Sequence, residues 1–173
     1  MNRPTIIINC AMSLDGKIAS PTGRQVRISS EEDMARVYQL RNKFDAVLVG
    51  INTVINDDPK LTVKERYVSC LNHPIRIVLD PNNKTSETAL IVNDKAKTII
   101  VVDENITISK TYTENVTVLP FPTENGVFNL NQLMMRFSDL GIHSLLVEGG
   151  GTIIWNFISS QLFDDLYVYV RSE

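Results

Sequence analysis

Ser144-Leu-Leu-Val-Glu-Gly-Gly-Gly-Thr152 sets a four-residue apolar run against one carboxylate and three consecutive glycines. The run is short enough to be a buried strand, and a second apolar stretch, Ile153 to Ile158, follows at once. Glycine lacks a Cβ, so Gly149, Gly150 and Gly151 can take backbone angles closed to other residues and let a ligand approach the main chain. If residues 152–160 are helical, the triplet aims free N–H groups above the strand, an arrangement suited to phosphate oxygens. Glu148 then stands beside a phosphate cradle.

Seven short runs rich in β-branched residues spread outward from that stretch: Thr5–Cys10, Ala46–Val49, Ile75–Leu79, Thr98–Val102, Val116–Leu119, Ser144–Val147 and Leu166–Val170. Most are apolar without alternation, as expected of strands covered on both faces. Helical patterns lie between them. Ser29 with Glu32 reads as a capping box, after which Met34, Val37, Tyr38 and Arg41 recur at helical spacing. Leu130, Leu133, Met134, Phe137 and Leu140 form a cleaner stripe that Gly141 ends. Ile153 and Phe157 mark a third helix. The interleaving predicts one α/β domain over residues 1–173, built on a mostly parallel sheet whose ligands sit at the carboxyl ends of its strands.

Bulk properties narrow the classes. The 173 residues are 43% hydrophobic and 21% charged, an ordinary globular balance. No apolar run approaches the ~20 residues of a membrane helix, and the N-terminus has no signal-peptide pattern. A net charge of −3 argues against a nucleic-acid surface. Residues 1–76 nevertheless carry 11 Lys and Arg against 8 Asp and Glu, so a small anion would fit the first half. Cys10 and Cys70 are too far apart for a CxxC pair, and His73 and His143 match no metal spacing, so no metal is expected.

Four strand exits can carry chemistry. After the first strand, Asp15-Gly16 makes a turn that leaves Lys17 free. After the second, Thr53 and Asp57 share a face if the segment is helical, above an Asp58-Pro59 turn. The third exit is the turn at Asp80-Pro81, and the fourth is the triglycine. Neither G-x-G-x-x-G nor G-x-x-x-x-G-K-[ST] is present. Each exit also has a plainer account: a solvated lysine, a helix cap, a turn, or tight helix–sheet packing.

The ordered motifs Met12-Ser-Leu-Asp-Gly-Lys17, Arg27-Ile-Ser-Ser-Glu-Glu-Asp33, Leu40-Arg41, Val49-Gly-Ile-Asn-Thr53, Asp57-Asp-Pro-Lys-Leu-Thr-Val63, Pro74-Ile-Arg-Ile-Val-Leu-Asp80 and Leu146-Val-Glu-Gly-Gly-Gly-Thr152 cover most of the chain. Together they resemble the pyrimidine reductases of riboflavin biosynthesis, particularly the stand-alone archaeal and fungal type with a dihydrofolate-reductase-like fold. The resemblance implies NADPH-dependent reduction of the ribosyl side chain of a diaminopyrimidinone 5′-phosphate, in a cytoplasmic homodimer that binds neither nucleic acid nor membrane. It places Ala11, Thr53, Asp57, Asp80, Pro81, Gly149, Gly150, Gly151, Thr152 and Ile153 at the cofactor. Gln25, Arg41, Leu61, Lys64 and Glu148 fall on the substrate side, with Arg41 and Lys64 as phosphate partners. Lys17, Asp57 and Glu148 are the candidates for moving a proton.

Two departures from the family pattern shape the expectation. The H-x-E and P-C-x-x-C motifs of the zinc deaminase fused to bacterial relatives are missing, which favours the still-aminated substrate over the deaminated uracil. The resemblance also implies strands beyond residue 170, so the expected sheet lacks the family's last strands and has an unpaired edge. A dihydrofolate reductase and a non-catalytic NADPH-binding subunit remain as rival readings.

Overall fold

Why seven buried runs assemble in one sheet follows from their register. The computed structural model describes residues 3–18 and 30–171, and the strands are β1 (Thr5–Ser13), β2 (Ala46–Gly50), β3 (Ile75–Leu79), β4 (Thr98–Asp103), β5 (Val116–Phe121), β8 (Ser144–Gly149) and β9 (Asp165–Arg171). Their order is β5-β4-β3-β2-β8-β1-β9, and every pairing is parallel. The sheet is thus wholly parallel where a mostly parallel one was expected. Within the described residues β9 forms one edge.

Residues along each strand alternate between two apolar layers. Ile6, Ile8, Leu48, Ile77, Leu145 and Val147 face Leu133, Met134 and Phe137 of α3 (Leu130–Asp139) and Phe157 of α4 (Gly151–Ser159). Ile7, Val47, Val49, Val78 and Leu146 form the opposite layer with Val54 of α2 (Ile51–Asp57) and Phe44, which caps α1 (Glu31–Lys43). Burial on both faces explains why the strands lack polar alternation.

The helix boundaries follow local chemistry. Ser30 caps α1, its side chain accepting from the Asp33 amide at 3.1 Å. The cap therefore lies one residue after the expected Ser29, which is outside the described residues. Asn129 caps α3 in the same way, and Gly141 at φ +81° provides the left-handed exit expected of it. A two-stranded hairpin, β6 (Thr123–Glu124) and β7 (Val127–Phe128), was not anticipated. Its signal was present: Asn125-Gly126, both at positive φ, is the dipeptide of a two-residue hairpin turn.

One buried cation ties the start of β3 to the loop that leads into β4. Arg76 on β3 is 0% exposed and donates to the carbonyls of Asn93 and Ala96, each at 2.6 Å, and to Asn93 Oδ1 at 2.9 Å. Burial pulls its pKa down to about 10, with Asp94 opposing, so it stays charged at neutral pH. Arg76→Ala should cost about 3 kcal/mol, because it removes three charge-assisted hydrogen bonds and empties the space of a fully buried side chain, although Asn115 still donates to the Asn93 and Ala96 carbonyls. Urea unfolding of the purified variant measures this, and a loss below about 1 kcal/mol would show that water replaces the guanidinium.

Candidate active site

The chain leaves β2 through α2 toward β3, but leaves the adjacent β8 through α4 toward β9 on the other side of β1. Such a divergence opens a crevice at the carboxyl ends of neighbouring strands. At that point the register slips: Leu48 pairs with Val147, while Val49 pairs with Gly149. Glu148 is the unpaired extra residue of this bulge, and bulges of this kind re-aim side chains beside binding sites.

Glu148 meets Arg41 from the last turn of α1. Arg41 Nε and Nη2 donate to Glu148 Oε1 and Oε2 at 2.9 and 2.6 Å, and Nη1 donates to the Thr62 carbonyl at 3.3 Å. The two side chains are only 13% and 9% exposed. Burial works against the Arg41 charge, but the Glu148 carboxylate more than offsets it and holds the guanidinium pKa up. This fork geometry fixes the carboxylate plane and leaves its outward lone pairs available to a ligand.

Beside the pair, the glycine turn is closely packed. Gly149 adopts φ +141°, where a side chain is strained. A Cβ on Gly150 would lie 3.1 Å from Thr53 Oγ1, and one on Gly50 only 2.7 Å from Ile153 Cγ1. The starts of α2 and α4 therefore approach each other to backbone distance. On the α4 side lies a cleft of about 250 Å³, whose lining includes Gly50, Pro81, Val127, Gly150, Thr152 and Ile153. Its glycine-lined end fits a diphosphate on backbone N–H groups, and its apolar end, formed by Leu79, Val127 and Phe128, fits a flat base. These residues suit a dinucleotide. Gly50 and the β6–β7 hairpin also line this cleft, and neither stands out as a site in the sequence.

The remaining expected residues fall into distinct roles. Thr53 and Asp57 do share a face of α2, with Thr53 against the turn. Burial raises the Asp57 carboxyl above its usual range, and no hydrogen bond engages it among the described residues. Ala11 sits at the carboxyl half of β1, paired with Tyr169. Asp80 is fully buried: its oxygens accept from the amides of Lys84 and Thr85 at 2.8 and 2.7 Å and from the Thr85 hydroxyl. It shapes the turn, while Pro81 lines the cleft.

Lys17 is not free, and that expectation is corrected. Its ammonium lies 2.6 Å from Asp15 Oδ2, and hydrogen bonds from Lys17 and Ser13 lower the Asp15 pKa to about 2. The turn that brings residues 15 and 17 together explains the difference. Leu61, at φ +48° and 3% exposed, packs into the core beneath the substrate side, so it presents no open side chain there. Lys64 is exposed beside Tyr38. Gln25 and Arg27 lie outside the described residues. Among those residues, no three His, Cys, Asp or Glu side chains gather to hold a metal, and no helix is long and apolar enough to cross a membrane.

Known proteins resemble this chain in sequence and in fold. The chain is 38% identical over 168 residues to the 2,5-diamino-6-ribosylamino-4(3H)-pyrimidinone 5′-phosphate reductase of Methanothermobacter thermautotrophicus, spanning 97% of this chain and 77% of that protein. The protein of the same name from Archaeoglobus fulgidus is also 38% identical, with 96% and 80% covered. Among solved structures, a Thermotoga maritima deaminase/reductase superposes with a TM-score of 0.84 at 25% identity, over 99% of this chain. This chain spans 45% of that longer protein. The riboflavin biosynthesis reductase of Saccharomyces cerevisiae shares the fold, with a TM-score of 0.76 at 22% identity, over 99% of this chain and 74% of that one. The family model of the RibD C-terminal domain matches residues 4–172, nearly the whole chain, and the chain belongs to the RibD C-terminal domain family.

Proposed function

We propose that this chain is an NADPH-dependent reductase that converts the ribosyl side chain of 2,5-diamino-6-ribosylamino-4(3H)-pyrimidinone 5′-phosphate to the ribityl chain in riboflavin biosynthesis. The observation that carries this reading is the Glu148–Arg41 pair, set at a bulge directly before the glycine turn that lines a cleft, with the cation Lys64 on the Tyr38 ring beside Arg41. Curated relatives bearing the name of that reductase support it.

When bound, the nicotinamide would supply the hydride for C1′ of the sugar. The residues of the chain do the rest. Glu148, fixed by Arg41, accepts hydrogen bonds from the pyrimidine amino edge and orients the ribosylamine. Lys64 faces the phosphate. Thr53 and the glycine turn position the cofactor, with Pro81 and Ile153 flanking it. Lys84, exposed past the Asp80 turn, is the cation we assign to a 2′-phosphate.

Opening the sugar ring requires a proton on its ring oxygen. Lys17 is held by Asp15 and Glu148 by Arg41, which leaves Asp57 as the unengaged candidate, and burial favours its protonated form. A donor with a raised pKa is active while protonated, so kcat should hold at acidic pH and decline as pH rises through the Asp57 value. Asp57→Asn should lower kcat about 10²-fold and remove that decline. A pH–kcat profile that keeps the same limb in the variant would exclude Asp57 as the donor.

The direct test follows NADPH oxidation at 340 nm with the aminated and the deaminated ribosylaminopyrimidine phosphates. Oxidation is expected only when one of these is added, and faster with the aminated one. Turnover of neither would overturn the assignment. The resemblance also implies a homodimer, which size-exclusion chromatography tests.

A further inference from the structure

Three cations gather on a pair of stacked tyrosines beside the Glu148–Arg41 pair. Tyr38 of α1 and Tyr67, in the 3-10 turn Glu65–Tyr67, lie 5.0 Å apart at 9° between ring planes. The Arg41 guanidinium carbon is 5.6 Å from the centre of the Tyr38 ring, and Lys64 Nζ is 5.2 Å from the same centre. Arg66 lies over Tyr67 at 4.6 Å. Each separation is within the range in which a ring face attracts a cation.

Two like charges on one ring repel each other unless something offsets them. Arg41 is neutralised by Glu148. Lys64 has no carboxylate within 4.0 Å among the described residues, and Arg66 reaches only the exposed Glu31, at 3.7 Å. Three of the five Arg41 donor hydrogens are already engaged, so Lys64 offers the more available charge. Tyr38 is 7% exposed, and its hydroxyl makes no hydrogen bond among the described residues, so its neighbours use the ring itself. Sequence spacing builds the arrangement: Tyr38 precedes Arg41 by three on one helix face, and Lys64 leads directly into the turn that carries Tyr67.

We infer that Tyr38 is a positioning residue, whose ring, backed by Tyr67, holds the Lys64 ammonium beside Arg41 as the receptor for the substrate's phosphate monoester. The inference rests on the reading that the substrate phosphate lies on this side of Glu148. Tyr38 touches no substrate; it removes the freedom of a long, exposed lysine before the phosphate arrives, and that lowers the entropic cost of binding. The effect belongs in phosphate affinity and not in the chemical step.

Titration calorimetry with ribose 5-phosphate tests it on wild type, Lys64→Ala, Tyr38→Leu, Tyr38→Phe and Tyr67→Leu, alongside NADPH affinity and Tm. Lys64→Ala and Tyr38→Leu should each weaken ribose 5-phosphate about tenfold, with NADPH affinity unchanged. Tyr38→Phe, which keeps the ring, should restore binding to within about twofold. In steady state Tyr38→Leu should raise KM with little change in kcat. If Lys64→Ala leaves affinity intact, the placement of the phosphate fails, and the inference with it. If Lys64→Ala weakens binding while Tyr38→Leu does not, the inference alone fails. Should Tyr38→Leu not fold, Tyr67→Leu decides: about threefold weakening supports the platform, and unchanged affinity overturns it.

Discussion

Glu148→Gln is expected to reduce kcat by about 10²–10³-fold and to destabilise the fold by about 3 kcal/mol. Both effects have one origin. The Glu148 carboxylate accepts two Arg41 donors in a site where the two side chains are 13% and 9% exposed. A glutamine keeps the volume but presents an amide N–H₂ to one arm of the fork, so a guanidinium buried from water loses half its partner and all its counter-charge. The Arg41 side chain then swings toward other acceptors, and the bulge residue no longer faces the ligand in a fixed plane. Arg41→Met alone should be comparably damaging to stability. The pair Glu148→Gln/Arg41→Met should lose less than the two single variants add up to, since neither charge is left stranded. Activity should not recover in the double variant, because the hydrogen-bonding carboxylate is gone. Urea unfolding and the 340 nm assay on all four proteins separate the two. Turnover within threefold of wild type in Glu148→Gln would make the pair purely architectural.

Much of the fold was readable from residues alone, and the exceptions have a common cause. The strands stand out because a parallel sheet covered on both faces tolerates almost nothing but β-branched and aliphatic side chains, as in Ile75–Leu79 or Thr98–Val102. The α3 helix carried its own cap at Asn129 and its own stop at Gly141. Glu148 was readable because it ends an apolar run directly before glycines. What lay hidden was conformation that no local spacing encodes. Arg41 and Glu148 are 107 positions apart, and only the order of strands brings α1 over the end of β8. Asp15 captures Lys17 because a turn at Gly16 folds the loop back on itself. Asp80-Pro81 reads as a turn, but spacing does not show that three donors within five residues enclose the Asp80 carboxylate. Leu61 looked like a pocket wall, but a positive φ turns it into the core. The hairpin differs, because Asn125-Gly126 is itself a local turn signal.

Gly50→Ala should weaken NADPH binding at least tenfold without unfolding the protein, although its own backbone angles, φ −86° and ψ 159°, accept alanine readily. The obstacle lies across the crevice. The added Cβ would stand 2.7 Å from Ile153 Cγ1, a contact that real Cβ atoms do not make. Ile153 is β-branched and sits in the first turn of α4, so its Cγ1 cannot swing away as the end of a flexible chain could. Relief must come from moving the start of α4 away from β2. That motion drags the Gly149–Gly151 turn off Thr53 and spreads the N–H groups that the diphosphate needs at one fixed spacing. The displaced atom also names its own cure: Ile153→Ala removes Cγ1, so Gly50→Ala/Ile153→Ala should return to the affinity of Ile153→Ala alone, which itself loses only the side-chain contact that Ile153 makes at the cleft. Fluorescence titration with NADPH on the three variants measures this, and Tm separates loss of fit from loss of fold. Equal affinity for wild type and Gly50→Ala would mean that the crevice breathes enough to absorb a methyl group. A double variant that binds much more weakly than Ile153→Ala alone would place the cause in the β2 exit itself, and the close approach of α2 and α4 would then not be what shapes the cofactor site.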